Sequence, residues 1–155
     1  MQRPALDAAL KLLAARGRTE AELRRLLVSR QYPAAEVEAA VARVRELGYL
    51  DDGEVARNRA RSLLGRSVAP RLAARRLEAQ GIAPAQARKA VDGEAGEEGE
   101  AGLLTRALER RVKGRALNES EKQKVFRSLV QKGFRPSDVA RRLGVAWDGD
   151  DDGER

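Results

Sequence analysis

Residues 77–91 read LEAQGIAPAQARKAV. Leu77 closes an apolar helix face, and Gly81 supplies the positive φ on which a helix can end. Ile82 is a large apolar residue placed in the turn. Pro84 opens the next helix, which points Ala87 and Val91 inward. The same order occurs twice more. Residues 27–41, LVSRQYPAAEVEAAV, put Leu27, Tyr32, Val37 and Val41 at the same offsets of 5, 5 and 4, and residues 129–143, LVQKGFRPSDVARRL, put Leu129, Phe134, Val139 and Leu143 there. The copies are shifted by 50 and then 52 residues, a period typical of stacked repeats. The first copy has Gln31 where the others have Gly81 and Gly133, and its Pro33 follows the large apolar residue by one position rather than two.

Outward from these stretches the pattern is helical throughout. Leu6, Leu10 and Leu13 share one helix face. Thr19 and Glu22 form a capping box for a helix carrying Leu23, Leu26 and Leu27. Pro33 starts a helix with Val37, Val41 and Val44 inward, ended by Gly48. Asp51 and Glu54 cap a helix that buries Val55, Ala56, Ala60 and Leu63. Ser67 is expected to cap the next, with Pro70 in its first turn and Leu72, Ala73 and Leu77 inside. Pro84 begins the sixth. Leu104, Ala107, Leu108 and Val112 line a seventh, Asn118 and Glu121 cap an eighth bearing Val125, Phe126 and Leu129, and Pro136 starts the ninth. No segment alternates at period two long enough for a strand. A unit of about 50 residues buries too little surface to stand alone, whereas stacked units share a core. The expected architecture is therefore all-α, an elongated curved array of three tandem three-helix repeats. Its parts are 1–50, 51–92 and 101–147, with a flexible acidic Gly-rich connector at 93–100 and a disordered acidic tail at 148–155.

The composition narrows function. The 155 residues include no Cys and no His, which excludes disulfides, thiolate metal sites, cysteine nucleophiles and the commonest general base. No P-loop occurs. Asp148–Gly153 reads D-x-D-x-D-G, the opening of a calcium loop whose closing Glu would fall beyond residue 155, so an acidic tail is the better reading. No apolar run approaches the roughly 20 residues of a membrane span, and the N-terminus has no signal-peptide core. The expectations are a cytoplasmic protein that is no enzyme and takes no cofactor or metal. It is expected to be a monomer, since no spare apolar face is visible.

Charge is the informative feature. The net charge of +7 conceals five carboxylates and no base in 92–100, and five carboxylates with one base in 148–155. The remaining body carries +16, mostly in 53–91 and 103–147. Such a field attracts polyanions. The bases fall in helical stripes: Arg57 and Arg61, Arg71 and Arg75, Arg106, Arg110 and Lys113, then Lys124, Arg127, Arg141 and Arg142. One stripe alone is more often a solvated face than a site; several on successive helices can form a band. These eleven residues are the candidate contacts to a partner or to DNA, and the acidic segments could compete for them. The two short helices meeting at Gly133-Phe134 weakly resemble a helix-turn-helix, although the same element occurs three times as a repeat.

Gly48-Tyr49-Leu50-Asp51-Asp52, followed by Val55-Ala56, resembles the signature of the RecX regulatory proteins. Arg18-Thr19 with Glu22-Leu23 is similar to that family's R-[ST]-x-x-E-L element, and Gly65, Leu72, Leu77 and Gly81-Ile82 to its later G…L…L…G-[IV] element. The likeness spans about residues 5–145 and rests on the order and spacing of these motifs. Val55 stands where the family usually has Phe, Arg76 where an acid is common, and Arg59 near a frequent aromatic. The resemblance implies tandem three-helix repeats and a modulator of the RecA recombinase. Such a protein binds RecA filaments on DNA, lies along the filament groove and inhibits extension, ATP hydrolysis, strand exchange and co-protease function. It implies DNA, single- or double-stranded, as a weak or filament-associated partner, and no membrane. The alternative from charge alone is a direct DNA-binding or transcriptional regulatory protein acting through its basic helical face.

Overall fold

The computed structural model describes residues 4–149. It contains α1 (Pro4–Ala15), α2 (Glu20–Ser29), α3 (Ala34–Glu46), α4 (Asp52–Gly65), α5 (Pro70–Ala79), α6 (Pro84–Ala95), α7 (Gly99–Val112), α8 (Glu119–Gln131) and α9 (Pro136–Leu143). No strand occurs among the described residues. In chain order the described helices run as α1–α3, α4–α6 and α7–α9, with the repeated turn after α2, α5 and α8.

The turn at the heart of each repeat has one geometry. The N–H of Tyr32 donates to the Leu27 carbonyl, that of Ile82 to Leu77 and that of Phe134 to Leu129. Inside each, the N–H of Gln31, Gly81 and Gly133 donates three residues back. These are Schellman caps, which satisfy the last carbonyls of a helix by placing one residue in the left-handed region. That residue has φ of 64° at Gln31, 93° at Gly81 and 94° at Gly133. The caps also explain the sequence signal, because the residue after the left-handed position is steered back over the helix end and packs there.

The chain makes two compact units. One holds the chain through Arg59 together with Arg75–Ala90, and the other holds Ala60–Ala74 together with the chain from Val91. In the first, α1 packs on α3 through Ala5, Ala8, Ala9 and Leu12, all buried, while Leu6, Leu10 and Leu13 flank that contact. The small alanine side chains let the two helix backbones approach closely. Thr19 caps α2, accepting from the Glu22 N–H at 3.1 Å, and its hydroxyl donates to the Gln80 carbonyl at 2.6 Å. The turn carrying Gly81 thus sits on the start of α2, so tightly that a Cβ on Gly81 would lie 2.3 Å from Ala21 Cβ.

The signature GYLDD acquires a part-by-part meaning in this unit. Gly48 takes φ 78° to end α3, and the Tyr49 N–H closes the cap on Val44. Leu50 packs against the core. Asp51 accepts from the Glu54 N–H to start α4, and Asp52 accepts from the Glu20 N–H at the start of α2.

The second unit repeats the junction. The Ala69 N–H, at the start of α5, donates to the Lys132 carbonyl at 2.8 Å, and a Cβ on Gly133 would meet Leu72 Cβ at 2.6 Å. Its buried residues include Leu63, Leu64, Val68, Leu103, Leu104, Leu129, Phe134 and Val139. Ser67 differs from expectation. It takes φ 62° and, with Val68 donating to Leu63, ends α4 by a Schellman cap instead of starting α5. A further departure lies in the acidic stretch expected as a flexible connector. α6 continues to Ala95, which is buried, and α7 begins at Gly99. Of the acidic tail, 150–155, including most of the calcium-loop-like run, lies outside the described residues.

Candidate polyanion-binding surface

In the first unit most of the charges near α2 are matched. Glu20 binds Arg24 at 2.9 Å and Arg45 at 2.5 Å, and Arg24 also binds Glu38 at 2.7 Å. Arg45, with Arg24, holds the Glu20 carboxyl below its usual range against partial burial. Arg59 forms the most enclosed pair, with Glu22, at 2.8 and 2.9 Å. Its guanidinium also reaches the Gln80 side chain at 2.5 Å and the Gly17 carbonyl at 3.1 Å. Burial pushes the Glu22 carboxyl up, but Arg59 and the Thr19 N–H outweigh it and hold it low. These arginines are structural. Of the candidate contacts, Arg57 and Arg75 belong to this unit and both are exposed.

The second unit holds the other nine candidates. Three converge. Arg61 on α4 and Arg106 and Arg110 on α7 line a cleft of about 200 Å³ together with Ser67 and Glu94. Arg61 grips both oxygens of Glu94 at 3.0 Å, which raises the Arg61 pKa. Arg106 is paired with Glu98. Arg110 donates to the Gly65 carbonyl at 2.8 Å and the Ser67 hydroxyl at 3.3 Å, so it caps the end of α4. Lys113 ends α7 in the left-handed conformation, exposed.

Arg141 and Arg142 line a different cavity of about 290 Å³, between α7 and α9, with Arg135, Asp138 and Glu100. Arg141 binds Asp138 at 2.5 Å, and Arg142 donates to the Thr105 hydroxyl at 2.8 Å and the Ala101 carbonyl at 3.3 Å. Glu100 has one buried carboxylate oxygen without a hydrogen bond, and burial raises its pKa against the pull of Arg135 and Arg71. Arg71 is half-buried. On α8, Arg127 donates to the Gln123 carbonyl and Lys124 is exposed. Sequence spacing found the stripes. It missed that Glu94 and Glu98 engage two of their members, and it missed the Arg59 hub, whose partners lie 21 to 42 residues away.

Among the described residues no cluster of acidic side chains could hold a metal ion, and no helix is long and apolar enough to cross a membrane. The family model described as the first three-helix domain of RecX matches residues 5–43. A regulatory protein RecX from Syntrophotalea carbinolica is 35% identical over 135 residues, covering 84% of this chain and 88% of that protein. The crystal structure of RecX from Lactobacillus salivarius superposes with a TM-score of 0.70 at 20% identity, over 91% of this chain and 95% of that one. A second crystal structure, of a regulatory protein RecX, gives 0.69 at 25% identity, over 91% and 70%.

Proposed function

The chain belongs to the RecX family of regulatory proteins, and from that membership we propose that it binds RecA recombinase filaments on DNA and inhibits them by occupying the filament groove. The likeness to a RecX protein across 84% of the chain carries this reading. The chemistry of the surface is consistent with it. Cationic side chains on successive helices of the second unit favour a partner rich in carboxylates or phosphates. Blocking a groove requires no catalytic group, and the protein acts as an inhibitor without being an enzyme. It works as a monomer, and extension, ATP hydrolysis, strand exchange and co-protease function all fall together, because each depends on the same filament.

The test is RecA ATPase on single-stranded DNA with substoichiometric protein added, alongside co-sedimentation with the filament. Falling activity with the protein in the pellet is expected. Unchanged ATPase and a protein left in the supernatant would reject the reading.

A sequence-specific DNA regulator is supported less well. The turn at Gly133-Phe134 that resembles a helix-turn-helix has the same cap as two other turns of the chain, and Gly133 is packed against Leu72 and Ala69. Arg141 and Arg142 of α9 are tied to Asp138, Thr105 and Ala101 rather than displayed for base edges.

A further inference from the structure

We propose that the cleft of Arg61, Arg106 and Arg110 is a binding site for the phosphodiester backbone of DNA, and that Glu94 and Glu98 are a built-in competitor that must let go before DNA is held. The inference concerns free DNA and does not rest on the filament reading.

Three guanidiniums from two helices face one cleft, more than one carboxylate requires. Glu94 satisfies Arg61 and Glu98 satisfies Arg106, while among the described residues Arg110 meets neutral acceptors, so positive charge is left over there. Arg106 and Arg110 stand one turn apart on α7, a rise of about 6 Å. That matches about two steps of a DNA strand, which places one phosphate every 3.4 Å or so of axis. No aromatic side chain lines the cleft, so the contacts available are to backbone rather than to stacked bases.

The competitor is positioned by the fold. Glu94 lies in the last turn of α6 with its side chain only 19% exposed. Glu98 folds back over α7, where a Cβ on Gly102 would lie 2.4 Å from Glu98 Cβ and 2.8 Å from Oε2. The absence of a side chain at 102 therefore opens the route from Glu98 to Arg106, eight residues on. Both arginines are more than half exposed in their pairs, at 69% and 52%, so these pairs are weak enough for a polyanion to displace. At low salt the tethered carboxylates lose to phosphates, and the segment sets a threshold for DNA binding.

The test uses the full chain, a short fluorescent DNA duplex, and no RecA. Glu98→Gln, at an exposed position, should tighten binding about two- to fivefold. Arg106→Ala should weaken it and reduce the slope of log affinity against log salt by about 0.9, the loss of one phosphate contact. Adding Glu98→Gln to Arg106→Ala should change nothing further. An equal gain from Glu98→Gln in both backgrounds would mean bulk charge alone and would overturn the competitor. An unchanged affinity and slope in Arg106→Ala would overturn the site. Tightening toward polyglutamate but not toward the duplex would reassign the cleft to acidic protein segments and also overturn it. Glu94→Gln is the second variant, expected to act through Arg61 in the same way. Circular dichroism melts confirm that each variant is folded.

Discussion

Single residues carry more of this fold than its mild composition implies. Arg59 and Glu22 form a pair whose side chains are 20% and 14% exposed. Removing the guanidinium leaves a carboxylate in a place that burial alone makes costly. Arg59→Ala should destabilise the chain by about 3 kcal/mol at pH 7. The dependence on pH follows from the direction of the shift. With Arg59 present the folded Glu22 pKa is below the unfolded one, so its contribution is present above about pH 4.3 and is lost as pH falls through the folded value. Without Arg59 burial dominates and the folded pKa rises, so the penalty applies only above it. The stability gap between the two proteins, measured by urea denaturation, should be widest at neutral pH and close in acid. A gap independent of pH would mean that Arg59 acts through packing. The glycines of the repeat give a second contrast. Gly81→Ala combines φ 93° with a Cβ 2.3 Å from Ala21 Cβ and should cost about 3 kcal/mol or more. Gln31→Gly, at the equivalent turn where the side chain is exposed and φ is 64°, should shift stability by less than about 1 kcal/mol. Equal effects at the two sites would remove the junction from the explanation.

At the level of elements, helix starts were legible because caps are local. Thr19 with Glu22, Asn118 with Glu121 and Asp51 with Glu54 lie three residues apart and act within one turn. Ser67 was misread because serine serves either end of a short turn. The choice was made by Val68, buried behind it, and by Ala69 pairing with Lys132, 63 residues away. The same distance problem hid the two junctions, although Gly81 and Gly133 were their visible trace. The candidate arginines were legible as stripes, but their partners were not, since a net count of charge does not say which carboxylate reaches which base. The acidic stretch was misread for a related reason. Its carboxylates suggested open chain, yet Glu94 and Glu98 have arginines to face and Ala95 has a core to enter. Glu100 is the member left without a partner for one oxygen. Its raised pKa means that stability is fullest below the unfolded value and is lost as pH rises through the folded one. Glu100→Gln should therefore raise stability at pH 7 by about 1 kcal/mol, with the gain disappearing in acid below about pH 4. Thermal melts across pH check this; a loss at pH 7 would mean that the charge is needed at the start of α7.

For the molecule as a whole, charge distribution decides how fast it finds a polyanion, and contacts decide how long it stays. Residues 148–155 carry five carboxylates and one base, so removing them raises the net charge from +7 to +11. Long-range attraction to a polyanion scales with that total and is screened over about 10 Å at 0.1 M salt. A tail acting through the field alone should slow association without altering the bound complex. The shortened chain should then associate with RecA filaments about two- to tenfold faster at low salt, with nearly the same dissociation rate, and the advantage should fade as salt is raised. Surface-immobilised filaments at several salt concentrations give both rates. A change confined to dissociation would place the tail in direct contact with the basic helices or the partner, and a difference surviving high salt would point to the same conclusion, because a screened field cannot act there.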